Sequence, residues 1–267
     1  MAHESIVAII GTRNEELYIE HSIRGFVSDG IEVILIDNDS SDNTRRIAES
    51  FLGKGLLSIH HLPWDGFFSL DAQLALKTEI IADVRHDWII HADSDEWLQP
   101  PPGYETLYDA IQDVSSSGAN AINFNEFVFV PQQDDNFENT DFRKAMLAYY
   151  FFEPNRPRLV RAWRREIDAS NAGSGGHLLE ASGRLKIFSE DFILRHYIAL
   201  SYDHSVSKYV GRRFNEDEMK RGWHFNRVNI SNADLILRPS GYLKTLHRWD
   251  DRRFDLSNPA PKHYWQW

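Results

Sequence analysis

Two carboxylates separated by one residue follow a short apolar segment near residue 90. Asp93, Ser94 and Asp95 come directly after the run from Trp88 to Ala92. Alternate carboxylates at the end of a strand can turn toward one cation, and Mg²⁺ and Mn²⁺ prefer such hard oxygen ligands. Phosphate oxygens often complete the shell of these ions. Two such acids also occur as a simple helix cap, but the adjacent Glu96 favours a Mg²⁺ or Mn²⁺ site at Asp93 and Asp95.

Polar residues also follow the first two predicted strands. They are Thr12, Arg13, Asn14 and Glu15 after the first strand, and Asp37 and Asn38 after the second. The carboxyl ends of parallel strands meet at one edge of a sheet, so these residues should lie beside Asp93 and Ser94. Their donors and acceptors suit a nucleobase and a ribose, and a guanidinium suits a phosphate. The pattern predicts a nucleotide pocket, in which Asn14 would also cap the first helix.

The elements that position these residues alternate between short β-branched runs and helical periodicity. The predicted strands cover residues 6–10, 33–36, 57–62, 88–90, 121–130, 158–163 and 192–198. The predicted helices cover residues 15–28, 43–51, 70–84, 104–115 and 206–220. This order predicts an α/β fold with a mainly parallel central sheet and a C-terminal helical and aromatic extension. We expect one domain over residues 1–267.

Composition restricts the partners. The formal net charge of -11 opposes binding to nucleic acid, and with no cysteine any metal must be held by oxygen or imidazole. A basic stretch contains Arg156, Arg158, Arg161, Arg164 and Arg165. We expect it to be a solvated strand edge, with contact to a diphosphate or an anionic acceptor as the alternative.

No apolar run approaches the roughly 20 residues of a membrane span, and residues 1–5 lack a signal-peptide pattern. We therefore expect a cytoplasmic protein. The aromatic tail is compatible with peripheral contact at the inner membrane face, with a dimer contact or with closure of the domain.

Three segments in this order resemble the family 2 glycosyltransferases. They are residues 7–15, 36–42 and 91–98, and they are most similar to a subgroup with Arg-Asn-Glu, Asp-Asn-x-Ser-x-Asp and Asp-x-Asp-Glu motifs. The resemblance implies a Rossmann-like GT-A fold, a nucleoside-diphosphate sugar donor, a divalent cation and inversion at the anomeric carbon. By position, Thr12 and Glu15 would contact the nucleoside, Asp37 and Asn38 the base or ribose, and Asp93 and Asp95 the ribose, metal and diphosphate.

The later part of the chain resembles the family more loosely. The resemblance implies a Gly-rich loop near the donor sugar, which residues 173–176 match, and a late metal-binding histidine, either His177 or His196. Glu180 and Asp191 are the candidates for the catalytic base, by position only. Residues 1–130 would bind the nucleotide sugar, and residues 131–267 a saccharide or lipid-linked acceptor. A nucleotidyltransferase and a non-catalytic nucleotide-sugar-binding protein are the alternatives.

Overall fold

The computed structural model describes residues 3–132, 134–157 and 159–267, so Arg158 of the predicted basic stretch lies outside the described residues. The strands are β1 Ile6–Thr12, β2 Glu32–Asp37, β3 Leu56–His61, β4 Trp88–Asp93, β5 Glu96–Gln99, β6 Ala121–Phe129, β7 Ala148–Phe152, β8 Leu159–Arg164, β9 Ala169–Ser170, β10 Glu180–Ala181, β11 Phe192–Tyr197 and β12 Lys244–Thr245. The α-helices are α1 Ile19–Ser28, α2 Thr44–Glu49, α3 Leu70–Asp83, α4 Leu107–Ser116, α5 Phe142–Ala145, α6 Tyr202–Tyr209 and α7 Glu216–Lys220.

Ten strands form one central sheet, with the path β12-β7-β6-β8-β4-β1-β2-β3. The strands β1 to β4 pair in parallel, as the sequence predicts. Beyond β4 the sheet is mixed, because β8 pairs antiparallel with both β4 and β6. Strand β11 lies beside β6 in parallel and beside β5 in antiparallel orientation. The parallel half carries the predicted nucleotide motifs at its carboxyl edge.

Alternate residues of β1 enter two different hydrophobic layers. Ile6 and Ile10 pack in the larger core, under α1 and α4, whereas Val7 and Ile9 face the opposite layer that includes Ile80 of α3. Successive side chains of a strand point to opposite faces, so a strand covered on both faces reads as a continuous apolar run. This double burial fixes β1 firmly and thereby fixes the residues that follow it.

The predicted helix over residues 206–220 is wrong, since two helices occupy this region. Helix α6 ends at Tyr209, and Gly211 adopts a positive φ of 71° that breaks the helical path. Helix α7 then begins after Asn215, whose side chain accepts a hydrogen bond from the Asp217 N–H at 2.8 Å. A glycine in the left-handed region ends one helix, and the Asn cap that follows it begins the next helix.

The aromatic C-terminal residues pack onto β6 and β7. Tyr264 and Trp265 are buried in a cluster with Val128 and Tyr150. The Trp265 indole N–H donates to the Asn226 carbonyl at 2.7 Å. The tail therefore closes the domain. No helix within the described part of the chain combines the length and the apolar character needed to traverse a bilayer.

Candidate functional site

The polar residues that end β1, β2 and β4 lie side by side. Thr12 is directly opposite Asp37 in the β1–β2 register, and Gly11 is opposite Asp93 in the β1–β4 register. The parallel pairing of β1 with β2 and with β4 produces this alignment, as the sequence predicts.

A cavity of about 800 Å³ opens at this edge. Nine of the predicted site residues line it: Thr12, Arg13, Glu15, Asn38, Asp93, Ser94, Asp95, His177 and His196. Four others are not among its described lining residues: Asn14, Asp37, Glu180 and Asp191. The volume lies in the range of small-molecule and cofactor sites.

One end of the cavity is built from the loops after β1 and β2. Arg13 donates from Nη1 to the carbonyls of Asn38 and Asp39, both at 2.5 Å, and its guanidinium lies 3.7 Å from the centre of the Trp64 ring. The Asn38 amide donates to the carbonyls of Leu62 and Pro63, each at 3.0 Å. Arg13 and Asn38 thus join the three loops that follow β1, β2 and β3 into one wall.

Asn14 and Asp37 organise this wall from behind. Asn14 has a positive φ of 53°, and its side-chain oxygen accepts a hydrogen bond from the Ser41 N–H at 2.8 Å. Asp37 is 1% exposed and accepts a hydrogen bond from the Ser40 N–H at 3.2 Å. Asn14 makes no side-chain cap to α1, which begins only at Ile19. These two residues hold the β1 and β2 loops together.

The centre of the cavity contains five side chains of alternating charge. Lys208 Nζ lies 3.1 Å from Glu15 Oε1 and 2.7 Å from Asp95 Oδ2. The same Asp95 oxygen lies 3.4 Å from His196 Nε2, and His196 Nδ1 lies 2.7 Å from Glu126 Oε1. Each side chain is at most 13% exposed. Solvent therefore screens these charges weakly, and each ion depends on its neighbours.

The alternating order of the charges determines the pKa values of these side chains. Burial, the largest influence on His196, lowers its pKa, but the carboxylates of Asp95 and Glu126 outweigh burial and hold the pKa well above its usual range. Burial alone would raise the pKa of Asp95, yet Lys208 and His196 keep it well below its usual range. Burial raises the pKa of Glu15 to about 7 despite Lys208. Asp95 is therefore the fixed negative centre of the group.

Asp93 belongs to a second ionic cluster beneath the first. Arg161 Nη2 lies 2.7 Å from Glu96 Oε1 and 3.3 Å from Asp93 Oδ2. The Asp93 N–H donates to the other Glu96 oxygen at 3.0 Å. Arg161 is 5% exposed, so the expectation of a solvated strand edge is wrong for this residue. Its strand β8 lies between β4 and β6, which places the guanidinium under the cavity.

The geometry around His196 suits a divalent cation. Metal-binding histidines usually have a carboxylate on the ring nitrogen that does not bind the metal, and Glu126 has this position at Nδ1. Asp95 faces the other nitrogen. In the described part of the chain, however, no three His, Asp or Glu side chains form a metal cage. Asp95 and His196, once Nε2 has lost its proton, would supply two ligands of such an ion, and phosphate oxygens would complete the shell.

The remaining predicted residues lie apart from this centre. His177 lines the cavity from the Gly-rich turn and is exposed. Glu180 is exposed on the two-stranded ribbon β9–β10, and Asp191 is held by Asn123 at 2.9 Å and Arg156 at 3.0 Å. Neither acid reaches the described cavity wall, so the geometry does not favour either as a catalytic base.

A family model described as Glycosyl transferase family 2 matches residues 7–168, which is more than half of the chain and includes β2 to β8. His196 and Lys208 lie beyond this match. The chain belongs to glycosyl transferase family 2. The resemblance inferred from the three motifs is thus confirmed at the level of the family, and the GT-A fold class with it.

Two curated relatives match a shorter segment of the chain. An uncharacterized glycosyltransferase of Rickettsia bellii (strain RML369-C) is 32% identical over 114 residues, which is 43% of this chain and 34% of the relative. A second uncharacterized glycosyltransferase, from Rickettsia typhi (strain ATCC VR-144 / Wilmington), is 29% identical over the same length and shares of the two chains. The match spans about a third of the length of these relatives.

Solved structures resemble this family 2 chain at low identity. Residues 1–349 of S. aureus TarS, in complex with UDP-GlcNAc, align over 87% of this chain and 78% of that chain, with 13% identity and a TM-score of 0.46. Glucosyl-3-phosphoglycerate synthase from Mycobacterium tuberculosis, with Mn²⁺, UDP and glucosyl-3-phosphoglycerate, aligns over 47% of this chain and 44% of that chain, with 20% identity and a TM-score of 0.31. These likenesses concern the fold only.

Sequence reasoning missed the roles of two residues in this family 2 site. Glu126 lies within the apolar strand β6, where a buried acid is costly unless it is paired. Arg161 similarly interrupts the apolar strand β8. A charge inside a buried strand is the available signal, but it does not identify the partner.

Proposed function

We propose that this chain transfers a sugar from a nucleoside-diphosphate sugar to a saccharide or lipid-linked acceptor. The transfer would depend on a divalent cation, Mn²⁺ or Mg²⁺, and would invert the anomeric carbon. The observation that carries the proposal is the meeting of Asp95, His196 and Glu126 with the loops after β1 and β2 in one cavity. Membership of family 2 supports the same reaction class.

The proposed division of the cavity follows the strand ends. Thr12, Arg13 and Asn38 would bind the nucleoside, and Asp93 and Ser94 the ribose and diphosphate. Asp95 and His196 would hold the cation, whose charge would offset that of the leaving diphosphate. Residues 1–130 would thus form the donor half, and residues 131–267 would supply the acceptor wall.

The reaction exchanges one carbon–oxygen bond for another. The acceptor hydroxyl oxygen would bond to the anomeric carbon as the bond from that carbon to the phosphate oxygen breaks. The hydroxyl proton would pass to a cavity carboxylate, and the bond's electron pair would leave with the nucleoside diphosphate.

The proposed acceptor also suggests where in the cell the protein acts. We propose a role in the synthesis of a cell-surface saccharide, carried out in the cytoplasm with peripheral contact at the inner membrane face. The exposed Trp249, which is 38% exposed, is the aromatic side chain best placed for such contact because Tyr264 and Trp265 are buried.

A thermal-shift screen tests the donor. The nucleoside diphosphates and nucleotide sugars of adenosine, guanosine, uridine, cytidine and thymidine would each be added with and without Mn²⁺. We expect a Mn²⁺-dependent rise in melting temperature for one nucleoside, because a ligand that binds only the folded state stabilises it. Asp95→Asn should abolish the Mn²⁺-dependent part. Equal shifts for the variant and the wild type would contradict the proposed cation site.

Product analysis then separates the reaction classes. A glycosyltransferase releases nucleoside diphosphate from the selected donor and adds sugar to the acceptor. A nucleotidyltransferase would release pyrophosphate or a sugar phosphate, and a non-catalytic protein would release nothing at any acceptor concentration.

A further inference from the structure

The wall of the cavity farthest along the chain from the nucleotide motifs comes from the C-terminal tail. Lys262 and His263 line the cavity there. The His263 ring stacks on Phe152 at 4.0 Å and on Trp265 at 4.6 Å between ring centres. Trp265 in turn bonds the carbonyl of Asn226, the neighbour of Arg227. The tail and the segment that carries Arg227 are therefore one connected surface.

Three cations that line the cavity have no carboxylate within salt-bridge distance among the described residues. Arg212, Arg227 and Lys262 all line it, and none forms a salt bridge within 4.0 Å in the part of the chain that the structure describes. In contrast, Arg161 and Lys208 each contact two carboxylates. The difference is informative in a chain with 40 acidic and 29 basic residues, where acidic partners are plentiful.

Two aromatic rings contact the guanidinium of Arg212, which forms no salt bridge within 4.0 Å in the described part of the chain. Its guanidinium lies 4.3 Å from the ring centre of Phe68 and 5.6 Å from that of Phe214. Burial lowers the pKa of Arg212, and repulsion from the positive charge of Arg227 lowers it further, against the attraction of Tyr209 and of the Glu15 and Asp95 carboxylates, which lie beyond 4.0 Å. A bound anion between them would remove this repulsion, and guanidinium groups match phosphate geometry with paired N–H donors.

We propose that Arg212, Arg227 and Lys262 bind a phosphate group of the acceptor. This inference rests on the proposed function, which assigns the donor to the opposite end of the cavity. The donor diphosphate would already have the cation held at Asp95 and His196 as its positive partner. Arg227 and Lys262 belong to the connected surface of the tail, which leaves their charge to the second substrate. The acceptor is therefore a phosphorylated saccharide or a phosphate-linked lipid carrier.

The test uses inorganic phosphate as the probe on the full chain. Its affinity is measured by ³¹P line broadening with the donor site saturated by the nucleoside diphosphate that the thermal-shift screen selects. The proteins are the wild type, Arg227→Gln, Lys262→Gln and the matched control Arg184→Gln, whose side chain is exposed and lies outside the described cavity wall. Melting temperatures verify that all four fold.

We expect Arg227→Gln to weaken phosphate binding by about tenfold, the loss of one charge-assisted hydrogen bond. Lys262→Gln should weaken it less, because an exposed ammonium is more strongly hydrated. Arg184→Gln should bind phosphate like the wild type. Affinity for the nucleoside diphosphate should be the same in all four proteins.

Two results would overturn the inference. Unchanged phosphate affinity in Arg227→Gln would show that this cation is not part of an anion site. A loss of nucleoside-diphosphate affinity in Arg227→Gln, with nucleoside affinity retained, would assign the charge to the donor instead of the acceptor. Failure of the wild type to bind any nucleoside diphosphate would contradict the proposed function, and the phosphate titration without nucleotide would still test the three cations.

Discussion

Lys208 places its ammonium between two carboxylates that are far apart in the sequence. Nζ lies 2.7 Å from Oδ2 of Asp95 and 3.1 Å from Oε1 of Glu15. Asp95 follows β4, and Glu15 follows β1, whereas Lys208 comes from α6. The interactions of Asp95 and Glu15 outweigh burial and raise the pKa of Lys208 well above its usual range. The lysine is thus the internal counterion of the cavity.

Removing this counterion should destabilise the fold. We expect Lys208→Met to lower the free energy of unfolding by about 3 to 5 kcal/mol, because two largely buried carboxylates lose their shared partner. Urea denaturation measures the change. Lys54→Met is the control, since Lys54 is exposed and its ammonium donates to the Ser50 carbonyl at 3.1 Å. Equal effects of the two substitutions would show that the Lys208 contacts add nothing to stability.

A divalent cation should compete with the same ammonium. We expect Mn²⁺ alone to raise the melting temperature of Lys208→Met more than that of the wild type, because the ion meets unneutralised carboxylates beside His196. The double variant Lys208→Met, Asp95→Asn should lose this gain. A Mn²⁺ response that survives in the double variant would place the ion elsewhere.

Lys77 should make stability depend on alkaline pH. It is 1% exposed, and its ammonium has no hydrogen-bond partner among the described residues. Burial lowers its pKa to about 8, against the attraction of Asp93. The pKa in the unfolded chain is about 10.4, so the wild type loses stability as the pH falls from there through about 8.

The matching substitution is Lys77→Met. We expect it to raise the free energy of unfolding by as much as about 3 kcal/mol at pH 7, and by progressively less as the pH rises toward about 10.4. Denaturant titrations at several pH values measure this, with the exposed Lys186→Met as control. A gain that does not change across that interval would exclude Lys77 as the titrating group.

Substitutions of Glu180 and Asp191 test whether either acid takes the proton from the acceptor hydroxyl. Loss of a general base lowers the rate by about 10²- to 10⁴-fold. We expect the reaction rates of Glu180→Gln and Asp191→Asn to fall far less than this, because neither acid is among the described residues that line the cavity. Release of nucleoside diphosphate from the selected donor measures the rate. A hundredfold fall in either variant, with its melting temperature unchanged, would restore that residue as the base.

The parts of the fold that the sequence predicts correctly are those with a local signal. Ile6–Thr12 and Trp88–Asp93 are apolar runs that end in polar clusters, and the clusters meet because parallel strands align their carboxyl ends. The break of the predicted helix at Gly211 was missed because the flanking residues keep a helical pattern on both sides. A local pattern does not show whether such a glycine lies within one long helix or separates two helices.

The charge pairing of the site depends instead on long-range contacts. Glu126 and Arg161 are isolated charges within apolar strands in the sequence. Glu126 meets His196 because β11 lies beside β6, and Arg161 meets Asp93 because β8 lies beside β4. His196 was a candidate because a motif resemblance includes it, not because its spacing to Asp95 indicates contact. The sequence alone does not show which acid pairs with which base, because any acid and base on neighbouring strands are equally compatible with a salt bridge.

Strand β11 has a consequence for how the molecule is made. It enters the sheet between β5 and β6, which places His196 opposite both Glu96 and Val128. These pairings join distant parts of the chain. Such contacts cost loop-closure entropy before they stabilise the fold. A ribosome that has released the motifs at Thr12, Asp37 and Asp93 has therefore not yet produced the proposed cation site. Ion affinity at the proposed site would appear only when β11 has paired, so it would serve as a marker of that step in folding.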